Sequence, residues 1–180
     1  AALAARLRAP AWLRLAAAAA LPLLSLIVTV KGESAAAFAF AVLGPLSMAS
    51  LIPLSLCLAA LVTGRSGRRA AAPAGLAPVL GLLGLLLYPA AIGLGPVDPY
   101  GWGFRGWELP ALLALAAGFG MLRGAVLLPV WIGLSVAAWE AGLYGSRNLW
   151  DYLIDPVAWA AAVLFLGYRL VAAGRAALRR

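Results

Sequence analysis

Six apolar stretches, each on the scale of a bilayer crossing, leave this chain few ways to fold. A helix needs about 20 apolar residues to span a hydrocarbon core. The runs at 12–30, 35–63, 75–95, 108–122, 125–144 and 150–171 are separated by short links only. A core built from 180 residues is too small to enclose that much apolar surface. Hydrophobic residues make up 65% of the chain and charged residues 11%, against roughly half and a quarter in soluble domains. The pattern predicts an all-α fold: a polytopic transmembrane helix bundle of six helices, forming one domain over 1–180, with both termini cytoplasmic.

The runs differ in quality. The first follows Arg6 and Arg8. A basic start before an Ala-rich stretch also fits a signal peptide, but the run is longer than a typical signal core and reads as a span. The second contains Pro45 and Pro53, so it should kink or break. The fourth needs Trp107 or Glu108 to reach the interface. If it re-enters instead of crossing, the count drops to five. Arg123–Gly124 reads as a tight turn, and the Gly- and Pro-rich segment Pro96–Glu108 as a loop.

Charge sets the expected orientation. Six crossings place Arg6, Arg8, Arg14, Arg65, Arg68, Arg69, Arg123, Arg169, Arg175, Arg179 and Arg180 on one side. Lys31, Arg105 and Arg147 fall on the other. Lys and Arg accumulate on cytoplasmic loops, so the richer side is cytoplasmic and the expected location is a bacterial inner membrane. The net charge of +8 then marks topology. It does not mark a nucleic-acid surface, because no soluble basic face exists to carry one.

With no histidine and one cysteine, Cys57, the chain lacks the residues for Ser-His-Asp catalysis, His-ligated haem or most zinc sites. No P-loop, GxSxG or HExxH motif occurs. No cofactor or metal is expected. All six carboxylates, Glu33, Asp98, Glu108, Glu140, Asp151 and Asp155, fall on or near the non-cytoplasmic side. Tyr100, Trp102, Phe104 and Trp107 fill one outer loop, and Trp139, Tyr144, Trp150 and Tyr152 flank another. Aromatics belong at interfaces anyway, but a belt does not account for the acids.

The sharpest motif runs from Asn148 to Pro156, reading NLWDYLIDP. Asp151 and Asp155 would share a helix face if the helix were continuous. Asp155-Pro156 also fits a helix start, Asp as N-cap and proline as the first residue. In that case 150–154 is an interfacial or re-entrant piece. Asp98-Pro99 reads as a turn. Glu140, inside an apolar run, calls for a partner or for snorkelling to the interface; Arg147 and Arg105 are the candidate partners. Ser47, Ser50 and Ser55 lie near the prolines of the second run. They either satisfy backbone carbonyls that proline frees or line a mid-membrane substrate site; the first is favoured.

The candidate binding set is therefore Asp98, Trp102, Arg105, Trp107, Glu108, Glu140, Arg147, Trp150, Asp151 and Asp155. The leading functional expectation is a non-catalytic membrane subunit or scaffold. Its partners would be membrane lipids and a membrane or periplasmic protein, met through the aromatic and acidic outer face. A small transporter, or the substrate-binding membrane subunit of one, is the first alternative. An enzyme using paired carboxylates among Asp98, Asp151 and Asp155 is the second.

Overall fold

The computed structural model describes residues 10–63, 75–104 and 106–178. Arg6, Arg8, Arg65, Arg68, Arg69, Arg105, Arg179 and Arg180 lie outside the described residues. The chain is mostly helical. In order the elements are α1 (Ala11–Ile27), β1 (Thr29–Val30), β2 (Glu33–Ser34), α2 (Ala35–Leu43), α3 (Met48–Thr63), α4 (Ala77–Ala91), α5 (Glu108–Leu122), α6 (Leu127–Glu140), α7 (Trp150–Leu153) and α8 (Pro156–Ala177). A 3-10 turn, Gly101–Gly103, sits in the loop before α5.

Two of the six apolar runs are divided. The second breaks into α2 and α3 across Gly44–Ser47. Pro45 lacks an N–H and clashes with a preceding turn, and Gly44 takes φ 72°, a conformation that costs glycine little. Pro53, by contrast, is carried inside α3. The sixth run breaks at Ile154 and Asp155, which are extended, so the long helix begins at Pro156 and not at residue 150. Helices α4, α5 and α6 have 15, 15 and 14 residues. At ~1.5 Å of rise per residue these are shorter than a ~30 Å hydrocarbon core. Only α8, with 22 residues, is long and apolar enough to cross a membrane among the described residues. The structure shares the expected all-helical class, and one of the six expected spans reaches full crossing length among the described residues.

Between α1 and α2 the chain makes a small hairpin that the outer-loop reading missed. Thr29 pairs with Ser34 and Val30 with Glu33. Lys31 (φ 53°) and Gly32 (φ 88°) form the turn, and positive φ at both central residues suits a two-residue hairpin.

The core gathers around α7. Leu109 and Leu113 of α5, Trp131, Ile132 and Ala138 of α6, Leu149, Trp150, Tyr152, Leu153 and Ile154, and Ala158 and Ala162 of α8 are all buried. Helices α4 and α8 pack most extensively. Gly81 and Gly84 permit the approach: the Trp159 ring lies where a Cβ on Gly84 would stand, and Trp159 Nε1 donates to the Gly81 carbonyl at 3.3 Å. Small residues commonly allow such close helix packing.

The outward faces are apolar. Leu82, Leu85, Leu86, Leu115, Phe119, Leu164 and Leu170 are each at least 58% exposed. No residue of α2 is buried. Monomeric soluble proteins seldom expose contiguous apolar surface on this scale.

Candidate functional site

Two loops close one end of the bundle. They are 98–104, between α4 and α5, and 141–155, between α6 and α8. Leu149 N–H donates to the Gly103 carbonyl at 2.9 Å, Asn148 Nδ2 to the Tyr100 carbonyl at 3.2 Å and Trp150 Nε1 to the Pro99 carbonyl at 2.8 Å. Asn148 is fully buried, and its Oδ1 accepts from the Trp150 N–H at 3.0 Å. Gly103 sits so close to Asn148 and Trp150 that a Cβ would overlap both. Pro99, Tyr100 and Gly103 are therefore held by direct stitching between the loops.

Asp151 belongs to this stitching. It accepts from Tyr100 Oη at 2.9 Å and from Ser146 Oγ at 2.6 Å. Burial, and then the hydrogen bond to Asp151, push the Tyr100 phenol up to about 12. Both effects disfavour a phenolate beside a carboxylate. Tyr152 is fully buried; its hydroxyl donates to the Ser146 carbonyl at 3.0 Å and accepts from the Tyr144 N–H at 3.2 Å. Its ring stacks on Tyr144 at 4.6 Å.

Asp155 makes a separate knot. One oxygen accepts from Ser47 N–H at 2.9 Å and Ser47 Oγ at 2.7 Å. The other accepts from Ser50 Oγ at 3.0 Å and Ala158 N–H at 2.8 Å. Asp155 is thus the N-cap of α8 and also closes the N-terminus of α3, where Ser47 O receives the first helical bonds from Ser50 and Leu51. Two helix starts point their partial positive charge at one carboxylate. Asp155 is 3% exposed, Ser50 5% and Ser47 0%. The capping reading of Asp155 matches this geometry. The favoured role for the serines does not: Ser47 and Ser50 bind a carboxylate 105 to 108 residues away, and Ser55 is exposed.

The remaining candidates spread along the same end. Asp98 is exposed and accepts the Gly101 N–H at 3.0 Å, which is the turn that Asp-Pro suggested. Trp102 packs partly buried against the core. Trp107 is 76% exposed. Glu108 opens α5, where an acid favours the helix dipole, and folds back over Gly106. Trp150 is buried. Arg105 lies outside the described residues.

Glu140 is not an acid inside an apolar helix. Helix α6 ends with it, ahead of Gly142 at φ 63°, and the residue is exposed. It lines an open recess of about 430 Å³ together with Phe104, Trp139, Gly145, Ser146 and Arg147. Trp139 Nε1 donates to the Arg147 carbonyl at 3.1 Å, which fixes the rim. A wider recess, about 670 Å³, lies along α8 at Tyr168, Val171 and Arg175. Its described walls come from that one helix, so it gathers no converging chemistry.

The structure thus sorts the carboxylates by task. Asp151 and Asp155 are occupied by internal donors and belong to different knots, so they do not form an acid–base pair. Glu140 is exposed and lines one open recess with Arg147. No known family model, curated protein or solved structure matches the chain. Tyr100, Ser146 and Asn148, with Ser47 and Ser50, hold the two aspartates but lie outside the candidate binding set. The signal for the first three was proximity to the acids, but the partners lie on loops distant in sequence.

Proposed function

We propose that this protein is a non-catalytic, multi-pass subunit of a bacterial inner membrane, docking a lipid or a protein partner through its periplasmic end. One contrast carries the reading. At that end Asp151 and Asp155 are spent on internal hydrogen bonds, whereas Phe104, Trp107, Glu140 and Arg147 stay exposed. A catalytic carboxylate needs an approachable oxygen within reach of its proton. Each oxygen of Asp155 already accepts two bonds. An exposed aromatic and charged rim over a closed end suits recognition instead. The apolar flanks of α4, α5 and α8 support placement in lipid.

The transporter alternative draws on the break between α2 and α3, since interrupted helices can bind substrates. Here the groups freed at the break are occupied by Asp155, which weakens that reading.

Two measurements test the proposal. Alkaline carbonate extraction of membranes should leave the full chain in the pellet. Single cysteines at Phe104 or Glu140, with Cys57 replaced by serine, should react with an impermeant reagent from the periplasmic side. Cysteines at Arg123 or Arg175 should not. Release by carbonate, or equal labelling of both sets in sealed vesicles, would sink the reading.

A further inference from the structure

We infer that the recess at the end of α6 binds an aminoalkyl phosphate zwitterion, the headgroup chemistry of an ethanolamine phospholipid. The inference rests on the docking reading above and adds the ligand. The recess holds about 430 Å³, within the ~300–1,000 Å³ range of small-ligand pockets. Glu140 and Arg147 both line it. A simple anion would meet repulsion from Glu140 and a simple cation repulsion from Arg147. A ligand with both charges a few bonds apart satisfies the two together.

Each half has its own support. Glu140 is the last residue of α6, and the carbonyl end of a helix favours a cation. The ammonium therefore goes to the Glu140 side. Trp139 and Phe104 provide aromatic walls against which a cation and its methylenes can lie. Arg147 takes the phosphate, because a planar guanidinium matches two phosphate oxygens at once.

The walls are also held in place before any ligand arrives. Trp139 is bonded to the Arg147 carbonyl. Ser146 donates to Asp151 at 2.6 Å and accepts the Asn148 N–H at 3.0 Å. Gly142 and Gly145, at φ 63° and 69°, give the tight return that brings Arg147 onto the same recess as Glu140. A rim fixed in this way loses little freedom on binding.

The test uses the full chain in detergent micelles, titrated with short-chain phosphatidylethanolamine, phosphatidylcholine and phosphatidylglycerol, and with free glycerophosphoethanolamine. Phosphatidylethanolamine is expected to bind about tenfold tighter than the other two lipids, on the scale of one good charge-assisted contact. Glu140→Gln and Arg147→Met should each remove most of that preference. Both residues are exposed, so both variants should fold. Binding of glycerophosphoethanolamine with the same dependence assigns recognition to the headgroup alone, open to a soluble zwitterion. Binding of the lipid only assigns the source as membrane lipid. Equal affinities for the three lipids, or a preference untouched by both substitutions, overturns the inference and leaves the docking subunit standing. Failure of the docking reading shows separately, as release of the chain by carbonate.

Discussion

Helices α2 and α7 are both short, yet they end in opposite environments. Helix α2, AAAFAFAVL, buries none of its residues. Helix α7, WDYL, buries Trp150, Tyr152 and Leu153. Hydrophobicity runs the wrong way to explain this, since the wholly apolar α2 is the exposed one. What separates them is the polar chemistry at their flanks. Around α7, Asn148, Asp151, Asp155 and the hydroxyls of Tyr100, Ser146 and Ser47 tie three parts of the chain together. Beside α2 the side-chain hydrogen bonding among the described residues is the Ser34 cap on Ala37 N–H at 3.1 Å, a bond within its own turn. On the membrane reading proposed above, an apolar side chain gains little by leaving acyl chains for a protein neighbour. Packing position is then set by polar groups that must find partners, and α2 has none to place.

The largest effect should come from cutting the knot that serves two helices. Asp155→Ala strands donors on Ser47, Ser50 and Ala158 in a buried site. At ~1–3 kcal/mol for each unpaired group, the total should reach ~3–5 kcal/mol, measured as loss of folded yield or as a shift in denaturant unfolding. Asp155→Asn keeps one acceptor oxygen and should lose about half as much under the same principle. An unaffected Asp155→Ala would break the comparison outright.

Next in size is the contact between the two end loops. Gly103→Ala puts a methyl into Asn148 and Trp150, and overpacking of this kind costs ~1–3 kcal/mol. Limited proteolysis within 98–104 should report the loosening before global unfolding does.

Tyr100→Phe removes one bond to Asp151, worth ~1 kcal/mol. It also carries a pH signature. The Tyr100 phenol is raised from 10.0 to about 12 by burial and by Asp151, so the folded state holds this proton more tightly than the unfolded state does. The associated stability is complete below pH ~10 and is lost as pH rises toward about 12. Wild type should therefore lose more stability across that window than Tyr100→Phe. Phenolate absorbance, recorded alongside unfolding, checks the assignment.

The smallest effect on stability belongs to α2. Phe40→Ser with Val42→Ser alters residues 63% and 66% exposed and should shift unfolding by under ~0.5 kcal/mol. If the pair destabilises the bundle as much as Gly103→Ala does, α2 is packed after all and the contrast with α7 fails.

Much of the design was legible in the residues themselves. Helical class follows from apolar runs with no alternating pattern. The break near Pro45 follows from a missing N–H, and the start of α8 from Asp155-Pro156, because caps and proline effects act within a few residues. Asp98 as a turn former was readable for the same reason. Glu140 was misplaced because an apolar run does not announce where its helix ends: Ala141–Tyr144 look helical, but the chain turns at Gly142.

What only the tertiary structure decided is which distant polar groups meet. Ser47 and Ser50 could have served their own helix, and Asp151 could have paired with Asp155. Instead the serines reach Asp155, and Asp151 reaches Tyr100 and Ser146. Local preference is set by neighbours in sequence, so it can be read from sequence. A hydrogen bond spanning 105 residues depends on how whole helices are arranged, and that arrangement is settled only when every buried donor has found its acceptor.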